Sequence, residues 1–221
     1  MSQGKLIVLE GMVGCGKSTQ LNYITERFKE KNLAFFYGRE PGGVEISEEI
    51  RKVLLDSKYK GVMIPATEVF LFQAARAQFY HDLVKPKINE GVIFVTDRSY
   101  WSTVAFQGYG RGFAIDRIKA YNEDAVDGLH PDLTFIFDVD DVKISALRAR
   151  AKSTALGPPD RFEHEELDFH TRVRDGYRSI AQDHAGKVIL VPSFEEESNI
   201  PQRITEIKEY VSDKLDVFDK K

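Results

Sequence analysis

One short segment, residues 11–18, constrains the fold of this chain more than any other part of the sequence. Its sequence is GMVGCGKS, which has the pattern G-x-x-x-x-G-K-[ST]. An apolar run at residues 5–10 precedes it and predicts a buried strand, and Leu21, Ile24 and Phe28 follow it at helical spacing. A strand, a glycine-rich turn and a helix in this order predict a phosphate-binding loop, because backbone N–H groups and the helix N-terminus all face the turn.

Two side chains of this loop have a specific chemistry. Lys17 is placed to reach the outer phosphates of a nucleotide, and the Ser18 hydroxyl is a suitable ligand for Mg²⁺. Cys15 is the only cysteine of the chain, which excludes an internal disulfide and indicates a small space-filling residue. The predicted nucleotide-binding residues are Gly11, Met12, Val13, Gly14, Cys15, Gly16, Lys17, Ser18 and Thr19.

Strands alternate with helices along the rest of the chain. Strands are also predicted at residues 33–37, 92–96, 133–138 and 188–191, and helices at 17–32, 46–54, 67–89, 99–107, 116–127, 142–151, 163–184 and 200–215. This alternation predicts an α/β fold with a five-stranded parallel sheet covered by helices on both faces. No linker or repeat divides it, so residues 1–221 are expected to form a single domain. The small residues at 152–159 predict a mobile segment within a lid at about 149–162.

Composition excludes several classes of partner. The formal net charge of −4 argues against non-specific binding of nucleic acid. No apolar run approaches the roughly 20 residues of a membrane helix, and the N-terminus lacks the pattern of a signal peptide. We therefore expect a cytoplasmic protein that binds neither membranes nor nucleic acid.

Two arginines are predicted at the edge of the sheet that also carries the phosphate loop. Arg39 follows the second strand and Arg98 follows the third. A guanidinium group binds phosphate bidentately, so the pair predicts a clamp for an acceptor phosphate. The alternative is surface ion pairs of Arg39 with Glu40 and of Arg98 with Asp97. Asp97 is also a candidate to hold the water shell of Mg²⁺ near the loop.

A second group of residues is a candidate base-binding site. Phe72 and Arg76 lie four residues apart on the long predicted helix and therefore share one face. An aromatic ring beside a guanidinium group suits a stacked base, but periodicity alone favours the alternative that Phe72 belongs to the core and Arg76 extends to its edge. Ser102, Thr103 and Gln107 offer small polar groups to a base edge.

Six motifs, taken together and in order, resemble the bacterial thymidylate kinase family. They are EG at 10–11 leading into the phosphate loop, REPGG at 39–43, FQAARAQ at 72–78, DR at 97–98 with STVAFQGYGRG at 102–112, PDLT at 131–134, and DRFE at 160–163. The resemblance extends from residue 5 to about residue 177. It implies the P-loop NTPase fold and transfer of the ATP γ-phosphoryl group to dTMP, giving dTDP for dTTP biosynthesis, by a homodimer with Mg²⁺.

The resemblance also implies roles for individual residues. Phe72 would stack on thymine, Arg76 would bind a thymine carbonyl, and Thr103 and Gln107 would contact the base edge. The implied dTMP-binding set is Arg39, Phe72, Arg76, Arg98, Thr103 and Gln107. The implied catalytic set is Lys17, Arg39, Arg98 and a lid cation, either Lys152 or Arg150. Ser18 and, through water, Asp97 would hold the metal.

The sequence departs from the family pattern in three places. Val13 stands where the family usually has an acidic residue, and valine cannot accept a hydrogen bond or orient an arginine. Ser99 replaces an aromatic residue and Phe106 replaces a common tyrosine. Residues 157–159 lengthen the lid. These departures bear on acceptor affinity and sugar discrimination more than on the type of reaction.

Two alternative functions remain open from the sequence. A deoxynucleoside kinase shares the phosphate loop but phosphorylates a hydroxyl group, which requires a carboxylate base after the first strand. Glu10 is the only candidate for that base. The second alternative is a nucleotide-dependent switch without catalysis, which the valine at position 13 favours.

Overall fold

A parallel five-stranded sheet forms the centre of the computed structural model, which describes residues 4–139, 141–148, 160–192 and 200–219. The strands are β1 (Lys5–Gly11), β2 (Phe35–Arg39), β3 (Ile93–Asp97), β4 (Leu133–Phe137) and β5 (Val188–Val191). Their order is β2-β3-β1-β4-β5, and every neighbouring pair is parallel. The predicted α/β architecture is thus confirmed. Because strands β1 and β3 are adjacent, the loops that follow them meet at one edge of the sheet.

Helices cover both faces of this sheet. They are α1 (Lys17–Glu30), α2 (Glu45–Leu55), α3 (Pro65–Phe79), α4 (Lys85–Asn89), α5 (Tyr100–Thr103), α6 (Ile115–Val126), α7 (142–148), α8 (Leu167–Asp183) and α9 (Ile200–Asp219). Alternate residues of β1 enter two different cores: Ile7 and Leu9 lie in one, and Leu6 and Val8 in the other. This strand is therefore apolar on both sides, as buried parallel strands are. No helix of the described residues is long and apolar enough to cross a membrane.

Strand β2 begins two residues later than the sequence predicts. The backbone N–H of Leu33 donates to the carbonyl of Phe28 and so closes α1. Pairing with β3 then aligns Phe35 with Ile93 and Arg39 with Asp97. Arg39 is consequently the last residue of the strand instead of lying beyond its end.

The long predicted helix at 67–89 also differs in detail. It begins at Pro65, two residues earlier than predicted, because a proline without an N–H group is tolerated in the first turn. A π-helical turn, Tyr80–Val84, separates α3 from α4. Pro86 lies in the first turn of α4 and therefore does not end the helix. A second π-helical segment, Val104–Gly110, extends α5 three residues beyond the end of the predicted helix at 99–107.

Helix α8 packs closely against the segment Val104–Gly110 because glycines lie at the contact. A Cβ atom on Gly110 would lie 2.6 Å from the ring of Phe169 and 2.9 Å from Val173. A Cβ atom on Gly176 of α8 would lie 2.6 Å from the ring of Tyr109. This contact brings α8 to the carboxyl edge of the sheet.

The segment predicted as a lid is described only at its end. Residues 149–159 lie outside the described residues, and they include Arg150 and Lys152. Arg161 and Phe162 are 2% and 6% exposed, and the backbone N–H of Arg161 donates to the carbonyl of Leu55. The chain that follows residue 159 is therefore anchored against α2.

Gly110→Ala should destabilise the protein more than Gly108→Ala. The added methyl group at position 110 meets Phe169 and Val173, whereas at position 108 it meets the flexible side chain of Ile115 at 3.1 Å. Overpacking of this kind costs about 1–3 kcal/mol. Urea unfolding of both variants measures the difference. Equal stability of the two variants would show that the α8 contact is not tightly packed.

Candidate active site

Glycines shape the phosphate loop between β1 and α1. Gly16 caps α1 with a left-handed backbone, φ +92°. A Cβ atom on Gly11 would lie 2.5 Å from the carbonyl oxygen of Phe137. The Nζ atom of Lys17 lies 3.2 Å from the carbonyl oxygens of both Gly11 and Met12, and this lysine is 9% exposed. The loop thus holds its lysine against its own carbonyls at the N-terminus of α1.

The groups expected to hold Mg²⁺ lie at this loop. Asp97 ends β3, and its Oδ1 atom lies 4.0 Å from the Nζ atom of Lys17. This Oδ1 atom is buried and has no hydrogen-bond partner among the described residues. Ser18 lies in the first turn of α1. One carboxylate and one hydroxyl group fit Mg²⁺, which takes its other ligands from phosphates and water. The described residues contain no cluster of three or more His, Cys, Asp or Glu side chains suited to a metal ion.

Next to the loop lies a small cavity of about 90 Å³, which we call the acceptor cavity. It is lined by Val13, Glu40, Pro41, Arg51, Leu55, Phe72, Arg98, Ser102, Phe106, Gln107, Asp160 and Phe162. The predicted residues Phe72, Arg98 and Gln107 therefore come together in one place. The ring of Phe162 lies 6.1 Å from that of Phe72 and 5.8 Å from that of Phe106. Aromatic rings thus form much of the wall.

Glu10 organises the side of this cavity that carries Arg98. The carboxylate is fully buried and accepts hydrogen bonds from the backbone N–H groups of Ser99 and Ser102, at 2.9 and 3.0 Å. It also accepts from the Ser102 hydroxyl at 2.6 Å and the Tyr177 hydroxyl at 2.8 Å. Burial and the nearby Glu10 raise the pKa of Tyr177 well above its usual value, so the phenol keeps the proton it donates. A carboxylate occupied in this way is a structural anchor, which argues against its use as a base.

Arg98 is held by the same hydroxyl groups. Its Nη1 atom donates to the Ser102 hydroxyl at 3.0 Å and to the Tyr177 hydroxyl at 3.3 Å. Its guanidinium carbon lies 5.2 Å from the centre of the Phe106 ring. The Nε and Nη2 groups of Arg98 make no hydrogen bond to a described residue. The alternative ion pair of Arg98 with Asp97 is not formed, and two donor groups remain for an anion.

Two more arginines lie near Arg98. The Nη2 atom of Arg39 lies 2.8 Å from Glu48, so its ionic partner is Glu48 and the alternative pairing with Glu40 is wrong. Arg51, which the sequence analysis missed, lines the acceptor cavity and donates to the carbonyl of Pro41 at 2.8 Å. Burial and the positive charges of Arg39 and Arg98 lower the pKa of Arg51. Such mutual repulsion favours binding of an anion between these groups.

Arg76 is buried behind the cavity. It is 1% exposed, so the expectation that it extends to the edge of the core is wrong. Its Nε atom forms an ion pair with Glu40 at 2.8 Å. Its Nη1 atom donates to Gln73 and Asn122, and its Nη2 atom donates to the Thr103 hydroxyl at 3.1 Å. One Nη2 hydrogen has no partner among the described residues. Thr103 thus contacts Arg76, and a contact of Thr103 with the base stays a prediction.

Glu68 fixes the orientation of Gln107. The Nε2 group of Gln107 donates to Glu68 Oε1 at 2.7 Å. Because an ionised carboxylate only accepts hydrogen bonds, the amide oxygen of Gln107 points away from Glu68. Glu68 is 1% exposed and also pairs with Arg111 and Arg161. Glu68 was not predicted from the sequence, because its partners lie far away in the chain and no local pattern marks them.

The buried Glu40 should make stability depend on pH. Burial raises the pKa of Glu40 from about 4.5 to about 7, although Arg76 opposes this shift. Its neutral form therefore stabilises the fold fully below about pH 4.5, and this contribution is lost as the pH rises through 7. Between pH 6 and pH 8.5 we expect a loss of about 1.4 kcal/mol from this group.

Glu40→Gln should remove this part of the pH dependence. Denaturant unfolding at pH 6 and pH 8.5 measures it, with the exposed Glu49→Gln as the matched control. An unchanged pH slope in Glu40→Gln would show that Glu40 is ionised throughout this range.

Comparisons with known proteins agree with this geometry. The family model described as Thymidylate kinase matches residues 9–204. The thymidylate kinase of Francisella tularensis subsp. novicida is 38% identical over 181 residues, which are 82% of this chain and 84% of that protein. The thymidylate kinase of Carboxydothermus hydrogenoformans is 39% identical over 188 residues, 85% of this chain and 89% of that protein.

A solved structure supports the same assignment. The crystal structure of thymidylate kinase from Ehrlichia chaffeensis superposes with a TM-score of 0.73 at 27% identity. The match covers 97% of this chain and 99% of the other. The resemblance carried by the six sequence motifs is thereby confirmed, and the chain belongs to the thymidylate kinase family and phosphorylates dTMP.

Proposed function

We propose that this chain transfers the γ-phosphoryl group of ATP to dTMP, with Mg²⁺, as one P-loop kinase domain over residues 1–221 in the cytoplasm. The main support is Arg98, whose Nη1 atom is held by Ser102 and Tyr177 while its other N–H groups have no partner among the described residues. An arginine fixed in this way at the edge of a cavity beside a phosphate loop suits an acceptor that carries a phosphate.

On the donor side, the loop N–H groups and Lys17 bind the outer phosphates of ATP. Ser18 and, through water, Asp97 hold Mg²⁺, which neutralises charge on the phosphates when it is bound. A phosphate oxygen of dTMP attacks the γ-phosphorus, the bond from that phosphorus to the β–γ bridging oxygen breaks, and ADP leaves. No dedicated base is required. Arg150 or Lys152, both outside the described residues, is proposed to add positive charge over the transferred group.

On the acceptor side, Arg39 and Arg98 hold the phosphate of dTMP. Arg51 is a further candidate for this role because it lines the same cavity, where burial and the neighbouring arginines lower its pKa. Binding of an anion relieves their repulsion and aims the acceptor at the phosphate loop. Positioning of this kind supplies most of the catalysis in phosphoryl transfer.

The base is proposed to lie on Phe72, with Gln107 at its edge. Since the Gln107 amide nitrogen donates to Glu68, its oxygen points away from Glu68 and is the group that we assign to the base. That oxygen accepts a hydrogen bond from the N3–H group of thymine, whereas N3 of cytosine has no hydrogen to donate. Arg76 has one Nη2 hydrogen available for a base carbonyl, and Thr103 supports this arginine. This arrangement selects thymine over cytosine.

A homodimer is also proposed, through the outer faces of α2 and α3. Ile46, Ile50 and Val53 follow one another at helical spacing along α2, yet Ile46 is 55% exposed and Val53 is 42% exposed. Phe70 of α3 is 51% exposed. Apolar side chains on neighbouring helices that face away from the core are typical of a protein interface.

Lys17→Ala should abolish phosphoryl transfer while dTMP still binds. The variant loses the charge that holds the outer phosphates of ATP, but it leaves the acceptor cavity intact. A coupled assay of ADP release measures turnover, and calorimetry measures dTMP binding. Lys29→Ala, at the exposed far end of α1, is the matched control. Near-normal turnover in Lys17→Ala would refute the donor assignment.

Gln107→Leu should lower kcat/KM for dTMP about 10- to 100-fold, because N3–H of thymine loses its acceptor. The KM for ATP should stay unchanged, and the already low rate with dCMP should change little, so the preference for dTMP over dCMP shrinks. Gln78→Leu is the control, since Gln78 is a partly exposed glutamine on the same helix as Phe72 and pairs with Asp82. An unchanged preference would remove Gln107 from base recognition.

A further inference from the structure

A second cavity lies at the opposite end of the sheet from the phosphate loop. Its volume is about 330 Å³, and it is formed by α5, α6, the end of α8 and the amino ends of β4 and β5. Thr134 and Val188, near the first residues of their strands, are part of its wall. None of the residues that line it also lines the acceptor cavity. Its size falls at the lower end of small-molecule sites, which are roughly 300–1,000 Å³.

Aromatic rings form one side of this cavity. Trp101 is 8% exposed, and its ring centre lies 4.7 Å from that of Tyr100 and 4.6 Å from that of His184. The ring of His130 meets Tyr100 edge to face at 6.2 Å. Ring faces held in this way offer a stacking surface to a flat, heteroaromatic group.

The other side of the cavity is positively charged. Lys119 and Lys187 line it, and neither forms an ion pair with any residue in the described part of the chain. The one acidic residue in the lining, Glu123, lies 3.2 Å from the Nε2 atom of His130. With two lysines against one glutamate, the lining carries a net positive charge, which favours an anion.

We propose that this cavity is a binding site for a nucleoside phosphate. The base lies against Trp101 and His184, and the phosphate is bound by Lys119 and Lys187. Asn122 is 5% exposed, and the Nδ2 hydrogen that does not face the Tyr100 carbonyl can donate to the ligand. Together these groups supply a stacking surface, a cationic end and a buried polar group, which are what a flat ring with an attached phosphate requires.

The same Asn122 links this cavity to the proposed base site. Its Oδ1 atom accepts from Gln73 at 2.6 Å and from Arg76 Nη1 at 3.2 Å. Its Nδ2 group contacts the carbonyl of Tyr100 at 3.4 Å. A ligand that moves Asn122 therefore moves a partner of Arg76. This consequence rests on the proposed function: occupation of the cavity changes the KM for dTMP more than the KM for ATP.

The chain contains one tryptophan, so the fluorescence of Trp101 reports directly on this cavity. The probe is GMP, whose purine ring is larger than the thymine for which the base site is proposed. The active site is first filled with a bisubstrate analogue that joins adenosine and thymidine through a chain of phosphates. Titration with GMP should then quench Trp101 saturably, with N-acetyltryptophanamide as the optical control. Inorganic phosphate should bind more weakly, because it lacks the ring.

The double variant Lys119→Glu, Lys187→Glu should weaken GMP binding about tenfold or more, since two favourable charges are reversed. Its basal kinase activity should be unchanged, which also shows that it folds. Lys29→Glu, Lys52→Glu is the matched control on exposed positions elsewhere. Absence of saturable quenching, competition by the bisubstrate analogue, or equal binding by the double variant overturns the proposal. None of these readouts depends on dTMP turnover, so they are independent of the proposed function.

Discussion

The buried carboxylate of Glu10 is the interaction on which the candidate site depends. A buried carboxylate is tolerated only when it is hydrogen-bonded, and Glu10 accepts four hydrogen bonds from three residues. Those residues belong to the start of α5 and to α8, so one charge joins the end of β1 to both. Arg98 has a left-handed backbone, φ +76°, that is uncommon outside glycine. The same network that anchors α5 holds this arginine in place.

Buried acidic residues also organise the base side of the site. Glu40 pairs with Arg76, and Glu68 pairs with Arg161. All four side chains are 5% exposed or less, so loss of one partner would leave an unpaired buried charge. The net charge of −4 is therefore no guide to the local arrangement of charge. Acidic residues behind the acceptor cavity hold arginine and amide side chains in position at the wall of the cavity. Such cations are fixed before a ligand arrives, which lowers the entropy lost on binding.

The sequence predicted the sheet and the phosphate loop because both depend on local patterns. The apolar run, the glycines and the following helix lie next to one another in the chain. The environment of Arg76 was not predictable in this way. Its position on an apolar helix face suggested the edge of the core, and its partners Glu40, Thr103 and Asn122 come from three other segments. Arg51 was missed because a charged residue on an amphipathic helix is usually exposed.

These contacts bear on the question of what the valine at position 13 does to function. The family pattern has an acidic residue there, and its absence favoured a switch without catalysis. In the structure Val13 lines the acceptor cavity together with Arg98, and its carbonyl accepts a hydrogen bond from Ser145. Arg98 is already oriented by Ser102 and Tyr177, both anchored on Glu10. An arginine fixed by that network needs no carboxylate at position 13 for its orientation. The valine is therefore no physical reason to expect a protein that binds nucleotides without transferring phosphate.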